Sequence, residues 1–210
     1  MNYKIKEIYK SIQGEGFHTG RVAILCRFAG CNLWSGNEKN RLSANCNFCD
    51  TDFVGTNGIN GGTYLDANML SKKIESLWGA DKSDRFVILT GGEPMLQVDT
   101  PLVNALHDKG FFVAIETNGT IRITQPIDWI CVSPKAGVEL VQKKGSELKL
   151  IYPQENINPF IYEALSFDYF YLQPMDNSRL KDNMKVSVEY CQNNTLWRLS
   201  LQTHKFLGIK

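Results

Sequence analysis

The sequence has almost no net charge, with 23 Lys and Arg against 22 Asp and Glu. This balance gives no overall field to draw in nucleic acid or an acidic membrane surface, so a partner must be recognised locally. No segment approaches the roughly 20 apolar residues needed to cross a bilayer. The opening MNYKIKEIYKSIQGEG also lacks the apolar run of a secretory signal, so a cytoplasmic protein is expected. Internal repeats, linkers and low-complexity tracts are absent too, and the expectation is one domain over residues 1–210. Histidine is scarce: only His18, His107 and His204 occur, with none between Gly20 and Asn104.

Cysteine is present, with six residues. In a reducing compartment these read as metal ligands, catalytic groups or small buried hydrophobes before they read as disulfides. Cys26 in VAILCRF, Cys131 in WICVS and Cys191 in VEYCQ lie in apolar or helical stretches and are read as packing residues. Cys31, Cys46 and Cys49 differ. Two of them share a two-residue gap, and fourteen residues separate that pair from the third, upstream. Three thiolates close a zinc site only if a fourth ligand joins them, and no histidine is near in sequence. The set suits a four-iron cluster that keeps one iron open for a small molecule. Zinc and incidental cysteines remain the alternatives at this point, because ligand softness does not separate the metals.

β-Branched and aromatic runs alternate with helical periodicity, the pattern of an α/β domain with a mostly parallel sheet. Strands are expected at RVAILCRF, RFVILT, FFVAIE, DWICVS, ELKLIY, DYFYLQ and LWRLSLQ. Helices are expected from a start near Thr63 to Asp66 through to Gly79, from about Asp99 through Pro101 to Lys109 and Gly110, and from about Ser178 to Gln192. GTNGINGG, from Gly55 to Gly62, reads as a flexible turn-rich loop. Several apolar runs end in polar turns, as in VILTGGEP, VAIETNG, ICVSPK, FYLQPMD and LSLQTHK. Parallel sheets bind ligands at the carboxyl ends of their strands, so these polar groups are expected to converge. GGEP has the glycines for close backbone approach but lacks the Gly-Lys-Ser/Thr ending of a phosphate loop, which argues against a nucleoside triphosphatase.

The order of the cysteine triad, GGEP, ETNG, SPK and QPMD resembles the radical S-adenosylmethionine (SAM) enzymes. SIQGEG, the arginine of CRFAGCNL, CNFCDT and the terminal LQTHKFLGIK narrow the resemblance to the 7-carboxy-7-deazaguanine synthases of queuosine biosynthesis, over Ser11 to the C-terminus. Most of the superfamily spaces its cysteines Cys-x3-Cys-x2-Cys. The longer gap here is a feature of this narrower family.

The resemblance implies an α/β fold, a partial, incomplete TIM-like barrel of about six parallel strands with few helices. It implies a [4Fe-4S] cluster on Cys31, Cys46 and Cys49, and Mg2+ on Thr51. SAM would be held by Phe48, Cys49, Asp50, Gly92, Ser133, Pro134, Lys135, Gln173, Pro174, Met175 and Asp176. By the same resemblance the substrate would be a pterin, 6-carboxy-5,6,7,8-tetrahydropterin, undergoing radical ring contraction to 7-carboxy-7-deazaguanine with loss of ammonia. Its contacts would be Ile12, Gln13, Gly14, Glu15, Arg27, Thr90, His204 and Lys210, with Glu116 as an acid or base or a cofactor contact. A pterin edge presents an amino group, a ring N–H and a carbonyl, and Gln13 with Glu15 offers the matching acceptor and donor. A homodimer, and a reducing electron donor such as flavodoxin, are implied as partners. Two other readings are a radical SAM activase acting on a partner protein, and a zinc-stabilised binding module without catalysis. The short chain without an obvious docking extension and SIQGEG weigh against the first; near-zero charge disfavours RNA as a ligand of the second.

Overall fold

The computed structural model describes residues 2–210. Nine strands form one sheet in the order β3-β1-β2-β4-β5-β6-β7-β8-β9. They are β1 (Tyr3–Ile12), β2 (Val22–Phe28), β3 (Gly62–Tyr64), β4 (Phe86–Gly91), β5 (Phe112–Thr117), β6 (Trp129–Val132), β7 (Lys144–Tyr152), β8 (Ser166–Pro174) and β9 (Trp197–Leu199). From β2 to β9 every pairing is parallel, whereas β1 lies antiparallel to both β2 and β3. The sheet is therefore an open, partial barrel with an antiparallel edge. Its parallel part holds seven strands, β2 and β4 to β9, against the about six that the resemblance implies, and each of the seven overlaps a run read as a strand from the sequence.

The helices cover one face. In α1 (Ala67–Trp78), Leu70, Ile74 and Trp78 recur every fourth residue and are buried, the spacing that puts side chains on one stripe. Asp66 caps its start by accepting from Met69 N at 2.8 Å. In α2 (Thr100–His107), Asp99 accepts from Leu102 N at 3.0 Å and from the Tyr3 hydroxyl at 2.7 Å. The same carboxylate thus caps the helix and ties it to β1. With α1 and α2, strands β1, β2, β4 and β5 build one apolar cluster; β7, β8 and β9 build a second, against which α3 (Leu180–Asn193) packs through Tyr190 and Cys191. A fourth, short helix, α4 (Thr203–Leu207), follows β9 near the C-terminus.

β7 shows how one strand serves core and site together. Leu148 and Leu150 are fully buried in the second cluster, while Glu147, Lys149 and Ile151 take the alternate positions that face the other side of the sheet.

Three features depart from the sequence reading: β1, the loop from Gly55 to Gly62, and β3, a three-residue strand that starts at the last glycine of that loop and pairs with β1. β1 escapes the strand pattern because Lys6, with a side chain only 10% exposed, occupies an inward position, its ammonium donating to Val54 O at 2.9 Å and pairing with Asp52 at 2.8 Å. The loop from Gly55 to Gly62 is pinned and not loose. Gly58 N donates to Lys6 O and Ile8 N to Ile59 O, both at 2.9 Å. A Cβ at Gly61 would stand 2.3 Å from Lys6 O, so the glycines here serve close packing.

Candidate functional site

The carboxyl ends of the parallel strands, the loop after β1, the cysteine loop and the C-terminal segment enclose a cavity of about 350 Å³, within the range of small-molecule sites. The structure brings almost every expected site residue to its wall, including Cys31, Cys46 and Cys49, Thr51, Gly92, Lys135, Gln173 to Asp176, Gln13 to Glu15, Arg27, Thr90, Glu116, His204 and Lys210. Pro134 is the exception. It is buried and does not line the cavity, and its carbonyl faces Gln154 Nε2 at 3.5 Å.

The three thiols fit a cluster. Burial raises the Cys31 thiol. Cys46 shares its hydrogen with Cys49, which brings Cys49 down to about 6 and pushes Cys46 up. Thiol ligands bind as thiolates, and one of the three is already biased that way. Among the described residues no group of three or more His, Cys, Asp and Glu converges as the ligands of one ion would. A cluster that takes one thiolate on each of three irons asks for no such convergence.

The fourteen residues between Cys31 and Cys46 fold back toward the cysteine pair. They contain a 3-10 turn at Glu38–Ser43, and the Arg41 guanidinium lies 4.0 Å from the Trp34 ring centroid. Arg41 Nη1 donates to the carbonyls of Asn47 and Cys49, each at 3.0 Å. One side chain thus holds the turn that carries Cys46 and Cys49.

GGEP packs against the first cysteine. Glu93 N donates to Gly30 O at 2.9 Å, and a Cβ at Gly92 would come within 2.0 Å of the same oxygen. Only glycine allows this approach. The Glu93 side chain is fully buried and accepts from the Thr117 hydroxyl at 2.8 Å and Asn118 N at 2.8 Å. It locks the turn after β4 to ETNG after β5. Lys135 donates to Ser133 O and Oγ at 2.6 and 2.7 Å, and burial depresses its ammonium. It is a half-buried cation beside Cys46 and Cys49.

The loop after β1 carries SIQGEG into the cavity. Phe17 anchors it, with ring centroids 4.8 Å from Trp129 and 4.6 Å from Tyr169, and Phe17 N donates to Glu147 at 2.8 Å. Gln13 is locked in orientation: its Oε1 accepts from Gly14 N at 2.8 Å while its Nε2 donates to Glu116 at 2.9 Å. Thr90 donates to the other Glu116 oxygen at 3.1 Å. Gly14 lies so close to His204 that a Cβ would meet its Nδ1 at 2.2 Å.

Arg27 donates from Nε to Glu7 at 3.1 Å and from Nη2 to the Tyr9 hydroxyl at 3.1 Å. Three of its five N–H groups stay free for a ligand. The C-terminal segment closes over these groups. Gln202 Nε2 donates to Glu15 at 2.9 Å and Asp50 at 3.0 Å. Lys205 pairs with Asp50 at 2.7 Å and also with Asp176. Lys210 pairs with Glu7 at 2.8 Å, and its carbonyl accepts from Ser11. The terminal lysine thus ties the tail to the β1 carboxylate that also holds Arg27.

Sequence reasoning missed Lys149, Glu7, Tyr9, Gln202 and Lys205. A signal for Lys149 exists: Glu147 and Lys149 are charged residues at alternate positions of a strand otherwise filled with Leu148 and Leu150. The others become visible only when β1 and the tail are folded over the sheet.

A scan against protein-family models finds no match. Among curated proteins, the chain is 55% identical over 209 residues to the 7-carboxy-7-deazaguanine synthase of Burkholderia multivorans, covering 100% of both chains. It is 54% identical over 210 residues to that of Bradyrhizobium diazoefficiens, again across 100% of both. The crystal structure of QueE from Escherichia coli matches with a TM-score of 0.70 over 96% of this chain and 94% of that one. At 24% identity this last likeness speaks for the fold alone.

Proposed function

This chain belongs to the 7-carboxy-7-deazaguanine synthase family, and we propose that its cavity carries out the ring contraction of 6-carboxy-5,6,7,8-tetrahydropterin to 7-carboxy-7-deazaguanine with loss of ammonia. The observation that carries this reading is that a single cavity holds the three cysteine thiols together with Gln13, Glu15, Arg27 and Glu116. When bound, the [4Fe-4S] cluster and SAM supply a 5'-deoxyadenosyl radical, the hard part of the chemistry.

The chain's own residues do the rest. Cys31, Cys46 and Cys49 would hold the cluster. Lys135 and the backbone at Gly92 would meet SAM together with Gln173 to Asp176 and the Phe48–Asp50 turn. Glu15 and Glu116 would accept from the amino and ring N–H groups of the pterin edge, and Gln13 would donate its remaining amide hydrogen to the carbonyl. Arg27 would grip the substrate carboxylate with its free N–H groups. Fixing that carboxylate fixes the neighbouring carbon 6, whose hydrogen is the one removed. The Thr51 hydroxyl is a candidate ligand for Mg2+, which keeps waters and takes carboxylate oxygens readily. Glu116, between Gln13, Thr90 and Lys149, can hold a proton in the later steps. A homodimer, and flavodoxin as the reductant, complete the reading.

The test is an anaerobic assay with iron and sulfide reconstitution, reductant, SAM, Mg2+ and 6-carboxytetrahydropterin, followed by mass spectrometry. 7-Carboxy-7-deazaguanine in many-fold excess over 5'-deoxyadenosine is expected. 5'-Deoxyadenosine alone would keep the radical machinery and refute the substrate.

A further inference from the structure

Lys149 is a cation set among acids. It sits in the middle of β7 with its side chain 5% exposed, pairs with Glu15, and lies 3.5 Å from Glu116. Those acids reach it from two other elements, the loop after β1 and the end of β5. Cys131 on β6 and Glu147 on β7 stand near it, and Lys135 is another cation close enough to feel its charge. Facing Glu15 are also Gln202, which donates to it, and Asp50.

Two carboxylates in one half-closed cavity repel each other and lose hydration, and either effect favours a proton on one of them. A protonated carboxyl would present an O–H donor to a ligand edge that itself donates, leaving two hydrogens facing each other and a buried group unpaired. An ammonium between the acids removes that problem. Burial alone would push the Glu15 carboxyl up, but the charge and hydrogen bond of Lys149, with the bond from Gln202, carry it below the ordinary carboxylate range. Burial would lower the Lys149 ammonium, yet Glu116 and Glu15 hold it well above its usual value. The two carboxylates thus favour the charged form of Lys149.

We propose that Lys149 is a positioning residue that sets the ligand preference of this site: it holds Glu15 and Glu116 as paired acceptors, so that the cavity selects a heterocycle whose edge donates through an amino group and a ring N–H. The hydrogen bonding leaves room for this, because each Glu15 oxygen has one protein donor, Gln202 on one and Lys149 on the other, and keeps a second lone pair. The inference rests on the pterin reading above. It adds the residue that makes the carboxylates usable, and the kind of edge they then require.

The test compares holoenzyme with Lys149→Gln and Lys149→Arg, each checked for fold by circular dichroism. The first readout needs no ligand: the protonated-carboxyl infrared band of Glu15, assigned with Glu15→Gln, is followed against pH. In Lys149→Gln its titration should move up by about one pH unit or more, and in Lys149→Arg it should stay close to wild type. The second readout is binding of 6-carboxytetrahydropterin and of its analogue with oxygen replacing the 2-amino group. Wild type should prefer the amino compound; Lys149→Gln should bind it about tenfold more weakly or worse near neutral pH and lose much of the preference. An unmoved Glu15 titration in folded Lys149→Gln overturns the proposal. A moved titration with unchanged ligand preference overturns its claim on specificity. If wild type binds neither compound, the pterin reading fails and the claim on specificity with it, while the infrared result still decides the claim on Glu15.

Discussion

Cys31, Cys46 and Cys49 differ from the other three cysteines in surroundings. Cys26 and Cys131 are sealed in the sheet and burial pushes both thiols up; Cys191 is half-buried on α3. Alanine at 31, 46 or 49 is expected to abolish the iron content and the activity, and Cys191→Ala to leave both. Iron analysis of the purified variants checks this, and a triad variant with full iron would refute the assignment. Glu15 makes a second prediction. A carboxylate held below its ordinary value contributes stability that is present above that value and lost as pH falls through the folded one. Wild type should melt above Glu15→Gln near pH 6, and the gap should close below about pH 4. An equal gap at pH 3 would count against the ion pair with Lys149.

Among the elements, the C-terminal segment does most of the joining. α4 brings Lys205 to Asp50 from the cysteine loop and to Asp176 after β8, two residues expected at SAM. Gln202, one turn earlier, links Asp50 to Glu15. Each ion pair is partly exposed and worth little alone. Together they fix two loops that otherwise carry adjacent negative charge. Lys205→Met is expected to raise the KM for SAM about tenfold with a smaller effect on kcat, since it loosens binding groups and touches no reacting atom. Lys205→Arg should recover most of the loss. A fall in kcat with KM unchanged would place Lys205 in the chemistry instead. At this scale β2, β4 to β9 and helices α1 to α3 were legible in sequence because apolar periodicity and helix caps are local signals; β3, three residues at the end of the glycine-rich loop, was not. β1 was not either, because its inward Lys6 finds its partners in Val54, Asn57 and Asp52, far along the chain.

Across the whole molecule, the sheet separates stability from chemistry by its two faces. No helix among the described residues is long and apolar enough to cross a membrane. The helices lie on the face where Leu148 and Leu150 are buried, and the cavity lies on the face of Glu147, Lys149 and Ile151. Leu148→Ala should therefore cost about 2–5 kcal/mol of stability through a cavity in the core, while the KM values for SAM and pterin stay near wild type. Denaturant unfolding and steady-state kinetics on one preparation check both halves.

The sequence by itself determined most of the alternation of strands and helices, which follows from local periodicity, and its resemblance to a known family pointed to residues that, Pro134 apart, line one cavity. Tertiary structure alone decided that Lys149 balances Glu15 and Glu116, that Arg41 holds the cysteine turn, and that the tail closes through Gln202, Lys205 and Lys210. Each of these is an interaction between charged or polar groups. Its partner is chosen by where the folded backbone delivers it, and no spacing along the chain encodes that distance.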